Sequence, residues 1–221
     1  CLFGPIYLPL RFLFINKPVI CGFARPDLIY QSPYYNETIF KLKKLITKFC
    51  FRNFANYYIV EEEFIKNRVS KSFKIALDRI FIAKNQISPV VSNSSKINLS
   101  TFFKKQLKVD KLKLGFLGRN YRHKQINMLA RAIFEINIEY KFSLRLITTL
   151  TKNEFLSINP KYNTYIDNIN IVEQSNIERF YNSIDVAITA SCLECFSVFP
   201  LEAMLFNKPI ICSMIEPHYQ T

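Results

Sequence analysis

Two short runs carry side chains of the kind and spacing that chemistry needs. In Gly118-Arg119-Asn120-Tyr121-Arg122-His123-Lys124, a glycine is followed by a cation and, five positions later, by another. Placed between a strand and a helix, such a run would add Arg119 and Lys124 to the free N–H groups and positive dipole end of the helix start, a trap for a diphosphate. The bland reading is a basic turn, which a chain with 20 Lys supplies readily. The second run, Glu194-Cys195-Phe196-Ser197-Val198-Phe199-Pro200-Leu201-Glu202, sets two carboxylates eight positions apart across a loop and a helix start. With 12 Glu in 221 residues, such a pair also arises by chance, so its setting has to carry the argument.

The flanking pattern supplies that setting. Apolar spacing predicts a strand at Leu112 to Leu117, then a helix near Lys124 to Asn137 with Ile126, Leu129, Ala130 and Ile133 on one face. A strand follows at Phe142 to Thr148. Thr151 with Glu154 and Ser175 with Glu178 read as capping boxes opening two more helices, with a strand at Ile169 to Val172 between them. Ile177, Phe180, Tyr181 and Ile184 should share the buried face of the second of these. Val186 to Thr189 and Pro209 to Cys212 read as strands around a short helix after Pro200, with Glu202 in its first turn and Asn207 able to close it in the left-handed conformation. Alternation at this pitch predicts a parallel, doubly wound sheet, and such sheets bind ligands at the carboxyl ends of their strands.

In the first half, Val19 to Cys21, Tyr57 to Val60 and Arg79 to Ala83 read as strands, with helices near Phe40 to Phe51 and Glu62 to Lys71. Residues 89–111, rich in Ser, Lys and Asn, read as a linker.

Composition bounds the rest. At 49% hydrophobic and 21% charged, the chain can bury a large core, which excludes disordered, collagenous and disulfide-scaffold classes. The net charge of +13 is concentrated at the front, where residues 1–110 hold 18 basic and 7 acidic side chains. Such a surface attracts nucleic acid, anionic membranes or nucleotide-linked substrates. Six cysteines in mostly apolar surroundings suggest free thiols in a reducing compartment, hence the cytoplasm. Cys192 and Cys195 spell C-x-x-C, but with only His123 and His218 to complete a tetrahedral set, packing under the loop is the expected role and no metal is expected. The apolar run Leu2 to Ile15 is interrupted by Pro5, Pro9 and Arg11 and is too short to span a bilayer. The chain opens on Cys1 and ends at Thr221 without a closing helix, so a fragment cut at both ends is expected.

Leu114 to Arg119 followed by Lys124, then Ser191 through Glu202, Ala203 and Met204, and Lys208 to Ile211, resemble the carboxyl-terminal domain of family 4 glycosyltransferases. That resemblance implies an α/β protein of GT-B type, with two Rossmann-like doubly wound domains of which the amino-terminal one is incomplete. Its implied boundaries are 1–90 for the rear of the acceptor-side domain, 91–111 for a linker and 112–221 for the nucleotide-sugar domain. It implies a retaining transfer from a nucleotide-sugar donor to a glycan or lipid-linked acceptor. Arg119 and Lys124, with Gly118 beside them, would bind the donor diphosphate, and Glu202 the ribose hydroxyls. Glu194 would face the donor sugar as the catalytic carboxylate, backbone groups of Phe196, Ser197 and Val198 would hold sugar and phosphate, and the base would lie near Ile171, Val172 and Glu173. The family pattern has Gly where Cys195 and Ser197 stand.

One further pattern stays open. Lys41, Lys44, Lys48 and Arg52 share a helical face, and Leu42, Leu45, Ile46 and Phe49 share another. This is either an ordinary solvated helix or one that docks on an anionic membrane leaflet, which would place the enzyme peripherally on the inner face of the cell membrane. Tyr30, Tyr34 and Tyr35 suit a core or an acceptor cleft. The rival classes are a basic nucleic-acid-binding module, which would need a basic element with interleaved aromatics, and a sugar phosphorylase or epimerase on the same fold.

Overall fold

A computed structural model describes residues 19–23, 37–84, 111–168 and 175–219. They fall into two compact units, the first holding 19–23, 37–84 and 193–196, the second 111–168, 175–192 and 197–219.

In the first unit, β1 (Ile20–Gly22), β2 (Tyr57–Val60) and β3 (Ile80–Ile82) form a parallel sheet in that order. Helix α1 (Glu37–Phe54) connects β1 to β2, and α2 (Glu63–Phe73) leads through a 3-10 turn, Leu77–Arg79, into β3. Val60, Ile65, Val69, Phe73 and Tyr58 are fully buried, and the Tyr58 hydroxyl donates to the Phe51 carbonyl at 2.5 Å. Helix α1 buries Thr47, Cys50 and Phe51, yet Leu42, Leu45, Ile46 and Phe49 are exposed, at 58%, 64%, 43% and 61%. Its apolar positions thus occupy two faces, one in the core and one outward, the outward one flanked by Lys41, Lys48 and Arg52.

The second unit is built on five parallel strands: β4 (Lys113–Phe116), β5 (Arg145–Thr148), β6 (Ile166–Asn168), β7 (Val186–Thr189) and β8 (Ile210–Cys212), in the order β6-β5-β4-β7-β8. The chain builds outward from β4 in one direction, then returns to pair β7 against its other edge. The strand order therefore reverses between β4 and β7, the crevice where sheets of this type take ligands. The connecting helices are α3 (Ile126–Tyr140), α4 (Lys152–Leu156), α5 (Ser175–Ser183) and α6 (Val198–Leu205), with α7 (Glu216–Tyr219) after β8.

Local chemistry explains the element ends. Thr151 and Glu154 form a complete capping box that opens α4. Asn207, at φ 54°, takes the left-handed conformation beyond α6. Buried Asn137 binds both backbone groups of Leu144, its Nδ2 donating to the carbonyl at 3.0 Å and its Oδ1 accepting from the amide at 2.8 Å, which fixes the turn from α3 into β5. Gly115 lets α5 lie directly on β4, since a Cβ there would sit 2.4 Å from Ile184 Cδ1 and 2.7 Å from Cγ2. Phe180 and Tyr181 on α5, and Ile184 just past its end, are buried as the spacing predicts.

Several boundaries differ from the sequence expectation. A strand is described at Ile166–Asn168, where Ile166 buries and pairs with Leu146; the strand expected at Ile169 to Val172 falls within 169–174, outside the described residues. The strand from Phe142 begins only at Arg145, because the Asn137–Leu144 bonds hold the preceding residues in a turn. Helix α3 begins at Ile126 rather than near Lys124, since Arg122–Lys124 forms a 3-10 turn and Gln125 takes φ 53°. Helix α6 begins at Val198, two residues before Pro200, so Glu202 falls in its second turn. The stretch expected as a linker lies outside the described residues up to 110, as do Tyr30, Tyr34, Tyr35 and the run Leu2 to Ile15. Among the described residues, no helix is long and apolar enough to cross a membrane.

Candidate functional site

The site begins with two loops that leave the carboxyl ends of neighbouring strands. After β4, Gly118 takes φ 150°, a conformation that side chains disfavour, and its amide donates to Thr149 Oγ1 on the next loop at 3.2 Å. The chain then runs through Arg119 and the Arg122–Lys124 turn, where the Lys124 amide donates to the Tyr121 carbonyl at 2.8 Å. After β7, the second loop passes Ser191 and Cys192 before reaching α6. The two meet: the Cys192 amide donates to the carbonyl of His123 at 2.9 Å. Residues separated by 69 positions are thereby fastened side by side at the point where the strand order reverses.

Arg119 is not a solitary cation. Its Nε donates to Glu154 Oε1 at 2.9 Å, and the Asn120 amide reaches the same oxygen at 3.1 Å. The other carboxylate oxygen accepts from the Thr151 amide at 2.9 Å and the Thr151 hydroxyl at 2.8 Å. Burial pushes the Glu154 carboxyl up, but the Thr151 and Asn120 bonds, with the charge of Arg119, outweigh it and hold the group below its ordinary value. Thr151 and Glu154 were legible as a cap; the link to Arg119, across 35 positions, was not.

Glu202, on α6, has a holder of its own. The buried Tyr181 hydroxyl donates to its Oε2 at 3.0 Å. Tyr181 is fixed by parallel stacking on Phe206, with centroids 4.4 Å apart, and on Phe199 at 6.3 Å. Burial raises the Glu202 carboxyl above its ordinary value, and the Tyr181 bond opposes that rise without cancelling it. Burial, then the nearby Glu202 charge and its hydrogen bond, push the Tyr181 hydroxyl strongly up, so it stays a donor. Sequence patterning found Tyr181 as a core position but not as a carboxylate holder, because a period reports only which face is buried.

Ser197 precedes α6 with φ −106°, is buried, and makes no side-chain cap, so the first amides of the helix are not closed by its hydroxyl. Positive φ among the described non-glycine residues is confined to Lys74, Gln125, Lys141 and Asn207; the two positions where the family pattern has Gly, Cys195 and Ser197, need no left-handed backbone here. Glu194 and Phe196 belong to the segment that groups with the first unit; Glu194 is buried and Phe196 half-buried. Ile171, Val172 and Glu173 lie outside the described residues. Cys192 and Cys195 are both free thiols.

Parallel sheets and a strand order that reverses at the switch point define a doubly wound α/β architecture, and comparison with solved structures specifies it. The Anabaena protein Alr3699/HepE in complex with UDP-glucose superposes with a TM-score of 0.68 at 12% identity, over 92% of this chain and 55% of that one. WaaG, a glycosyltransferase involved in lipopolysaccharide biosynthesis, gives 0.67 at 13% identity, over 93% and 60%. Sucrose-phosphate synthase from Thermosynechococcus elongatus gives 0.66 at 16%, over 92% and 52%. The fold is that of the GT-B glycosyltransferases, and the chain spans a little over half the length of the Anabaena protein. Residues 111–220 match the family model described as glycosyl transferases group 1. No protein with a curated description matches the sequence.

Proposed function

We propose that the protein is a retaining glycosyltransferase of family 4 that moves a hexosyl group from a nucleotide-sugar donor to a glycan or lipid-linked acceptor, in the assembly of a surface polysaccharide or glycolipid. The observation that carries this reading is the Cys192–His123 bond at the switch point, which brings the cationic loop and the loop before Glu202 together.

Breaking the sugar–phosphate bond leaves negative charge on the departing diphosphate. Arg119 and Lys124 compensate that charge, and the amides at Ser197 and Val198, at the positive end of α6, add donors that need no reorganisation. These groups supply the stabilisation that a metal ion would otherwise give, so the reading calls for no cofactor. The Oε1 edge of Glu202 accepts from the ribose hydroxyls while Tyr181 occupies Oε2. The family resemblance assigns Glu194 to the donor sugar, where a carboxylate favours an oxocarbenium-like centre. The same resemblance assigns the base to Ile171, Val172 and Glu173 and backbone contacts with the sugar to Phe196.

The acceptor side carries a second element. The outward apolar face of α1, flanked by Lys41, Lys48 and Arg52, fits an anionic membrane leaflet, and a lipid-linked acceptor would be met there by an enzyme working at the cytoplasmic surface. That docking would be peripheral.

Titration of the full protein with UDP, ADP and GDP, followed by proton NMR of the product formed from the matching nucleotide-sugar, tests the proposal. One nucleotide should bind and the anomeric configuration of the donor should be kept. An inverted product would remove the retaining assignment, and no binding of any nucleotide would remove the donor site.

A further inference from the structure

Glu154 is bound to more of the phosphate loop than a helix cap requires. A capping box uses the N3 carboxylate to satisfy the N-cap amide, here Glu154 Oε2 on Thr151 at 2.9 Å. The other oxygen has a separate task, accepting from both Arg119 Nε and the Asn120 amide. Asn120 adds a bond from its Nδ2 to Ser157 Oγ at 2.7 Å, and Ser157 in turn donates to the Glu154 carbonyl at 2.6 Å. One side chain therefore ties the loop after β4 to the helix after β5, at the carboxyl edge of two adjacent strands. Among the described residues Glu154 is the sole partner of the Arg119 guanidinium, and the bond uses Nε, which leaves the Nη1 and Nη2 edge for a planar, two-pronged contact.

We infer that Glu154 is a positioning residue of the donor site: it holds the Arg119 guanidinium by Nε so that its terminal nitrogens meet the diphosphate already ordered. This rests on the donor-site reading above. The alternative physical outcome is the reverse. A carboxylate so close to an anion site repels the anion and competes for the arginine, in which case removing it strengthens binding. Geometry favours positioning, because Oε2 is occupied by Thr151 and Oε1 by a backbone amide as well as the guanidinium, so the carboxylate is anchored by neutral donors whether or not Arg119 is present. Releasing it from Arg119 would not free it to move away.

The test uses the full protein and calorimetric titration with UDP, ADP and GDP, each against its monophosphate. Glu154→Ala should weaken the diphosphate that binds by roughly five- to tenfold, the scale of one lost charge-assisted contact, while changing its monophosphate less than about twofold. In an Arg119→Ala background the same change should add less than about twofold, because the two residues act as one unit. Thr151→Ala removes the cap but keeps the Arg119 bond, so it should lower the melting temperature as Glu154→Ala does while preserving the diphosphate-to-monophosphate ratio. Additive losses, equal losses for both nucleotides, a Thr151→Ala variant that loses the ratio too, or tighter diphosphate binding by Glu154→Ala would overturn the inference. Failure of the unsubstituted protein to bind any nucleotide would overturn the donor site, and the inference with it.

Discussion

The amide of Cys192 and the carbonyl of His123 are joined over 2.9 Å, and this one bond ties the loop that follows β7 to the loop that follows β4. Each loop alone is an unremarkable polar turn. Fastened together at the reversal of the strand order, they join the loop that carries Arg119 and Lys124 to the loop that leads toward α6, which carries Glu202. The donor site proposed here depends on that pairing.

The Glu202–Tyr181 bond gives nucleotide binding a specific pH dependence. Glu202 accepts ribose hydroxyls more strongly when ionised, and burial raises its carboxyl above its ordinary value. Affinity should therefore be full above the raised value and fall as pH drops through it, by up to about tenfold per unit for one proton. Glu202→Gln should lose this component while keeping whatever dependence the phosphate itself contributes. Tyr181→Phe, which removes the one interaction opposing the rise, should move the loss to higher pH. Parallel titrations of the three proteins from pH 4 to pH 8 would show it; identical profiles in all three would refute the role of Glu202.

Close packing of α5 on β4 should make Gly115 intolerant. Gly115→Ala puts a methyl group within 2.7 Å of Ile184 Cγ2, and overpacking of this kind costs about 1–3 kcal/mol. Ile184→Ala should be destabilising alone, yet the double variant should be more stable than the sum of the two losses predicts, by at least about 0.5 kcal/mol. Urea denaturation of the four proteins measures the cycle, and strict additivity would show that the two positions do not press on each other.

A smaller effect belongs to Asp167, whose carboxyl is paired with Arg145 through both oxygens and held below its ordinary 3.8 mainly by those bonds. A depressed carboxylate contributes stability that is present above the unfolded value and is lost as pH falls through the folded one, so the window lies below about pH 4. Because the pair is substantially solvated, the contribution should be no more than about 0.5–1 kcal/mol. Asp167→Asn should flatten the decline in melting temperature over that window, and an unchanged decline would assign it to other groups.

Docking of α1 on a membrane is checked by flotation with vesicles of phosphatidylcholine alone or with added phosphatidylglycerol. The protein should float only with the anionic lipid, and Leu45→Glu with Phe49→Glu should abolish this without altering nucleotide affinity. Both side chains are more than half exposed, so their replacement should cost little stability. Lipid-independent behaviour would leave α1 as a solvated helix.

How much was legible depends on whether a feature is local. Val186 to Thr189 is readable to the residue, Leu112 to Leu117 is one residue too long at each end and Pro209 to Cys212 one too long at its start, because short apolar runs between turn residues have few alternatives. The Thr151–Glu154 cap was readable because both partners lie within one turn. Pro200 lies in the first turn of α6, where a proline is tolerated, but it does not mark the start: the helix opens at Val198, ahead of the start expected after Pro200. Helix α1 showed its apolar residues but not which of them face outward, since Cys50 and Phe51 bury while Phe49 does not. The bonds that organise the site, Arg119 to Glu154 and Tyr181 to Glu202, join side chains 35 and 21 positions apart. No period or motif encodes such contacts; they exist only once the strands are ordered.

The central claim is that Arg119 and Glu202 serve opposite ends of one nucleotide. Its most direct test is the affinity of Arg119→Ala and Glu202→Ala for both UDP and uridine, or for the diphosphate and nucleoside of whichever base binds. The account predicts that Arg119→Ala weakens the diphosphate by about 1.5–3 kcal/mol and leaves the nucleoside unchanged, whereas Glu202→Ala weakens both by a similar amount. Unchanged diphosphate affinity in the two variants would contradict it.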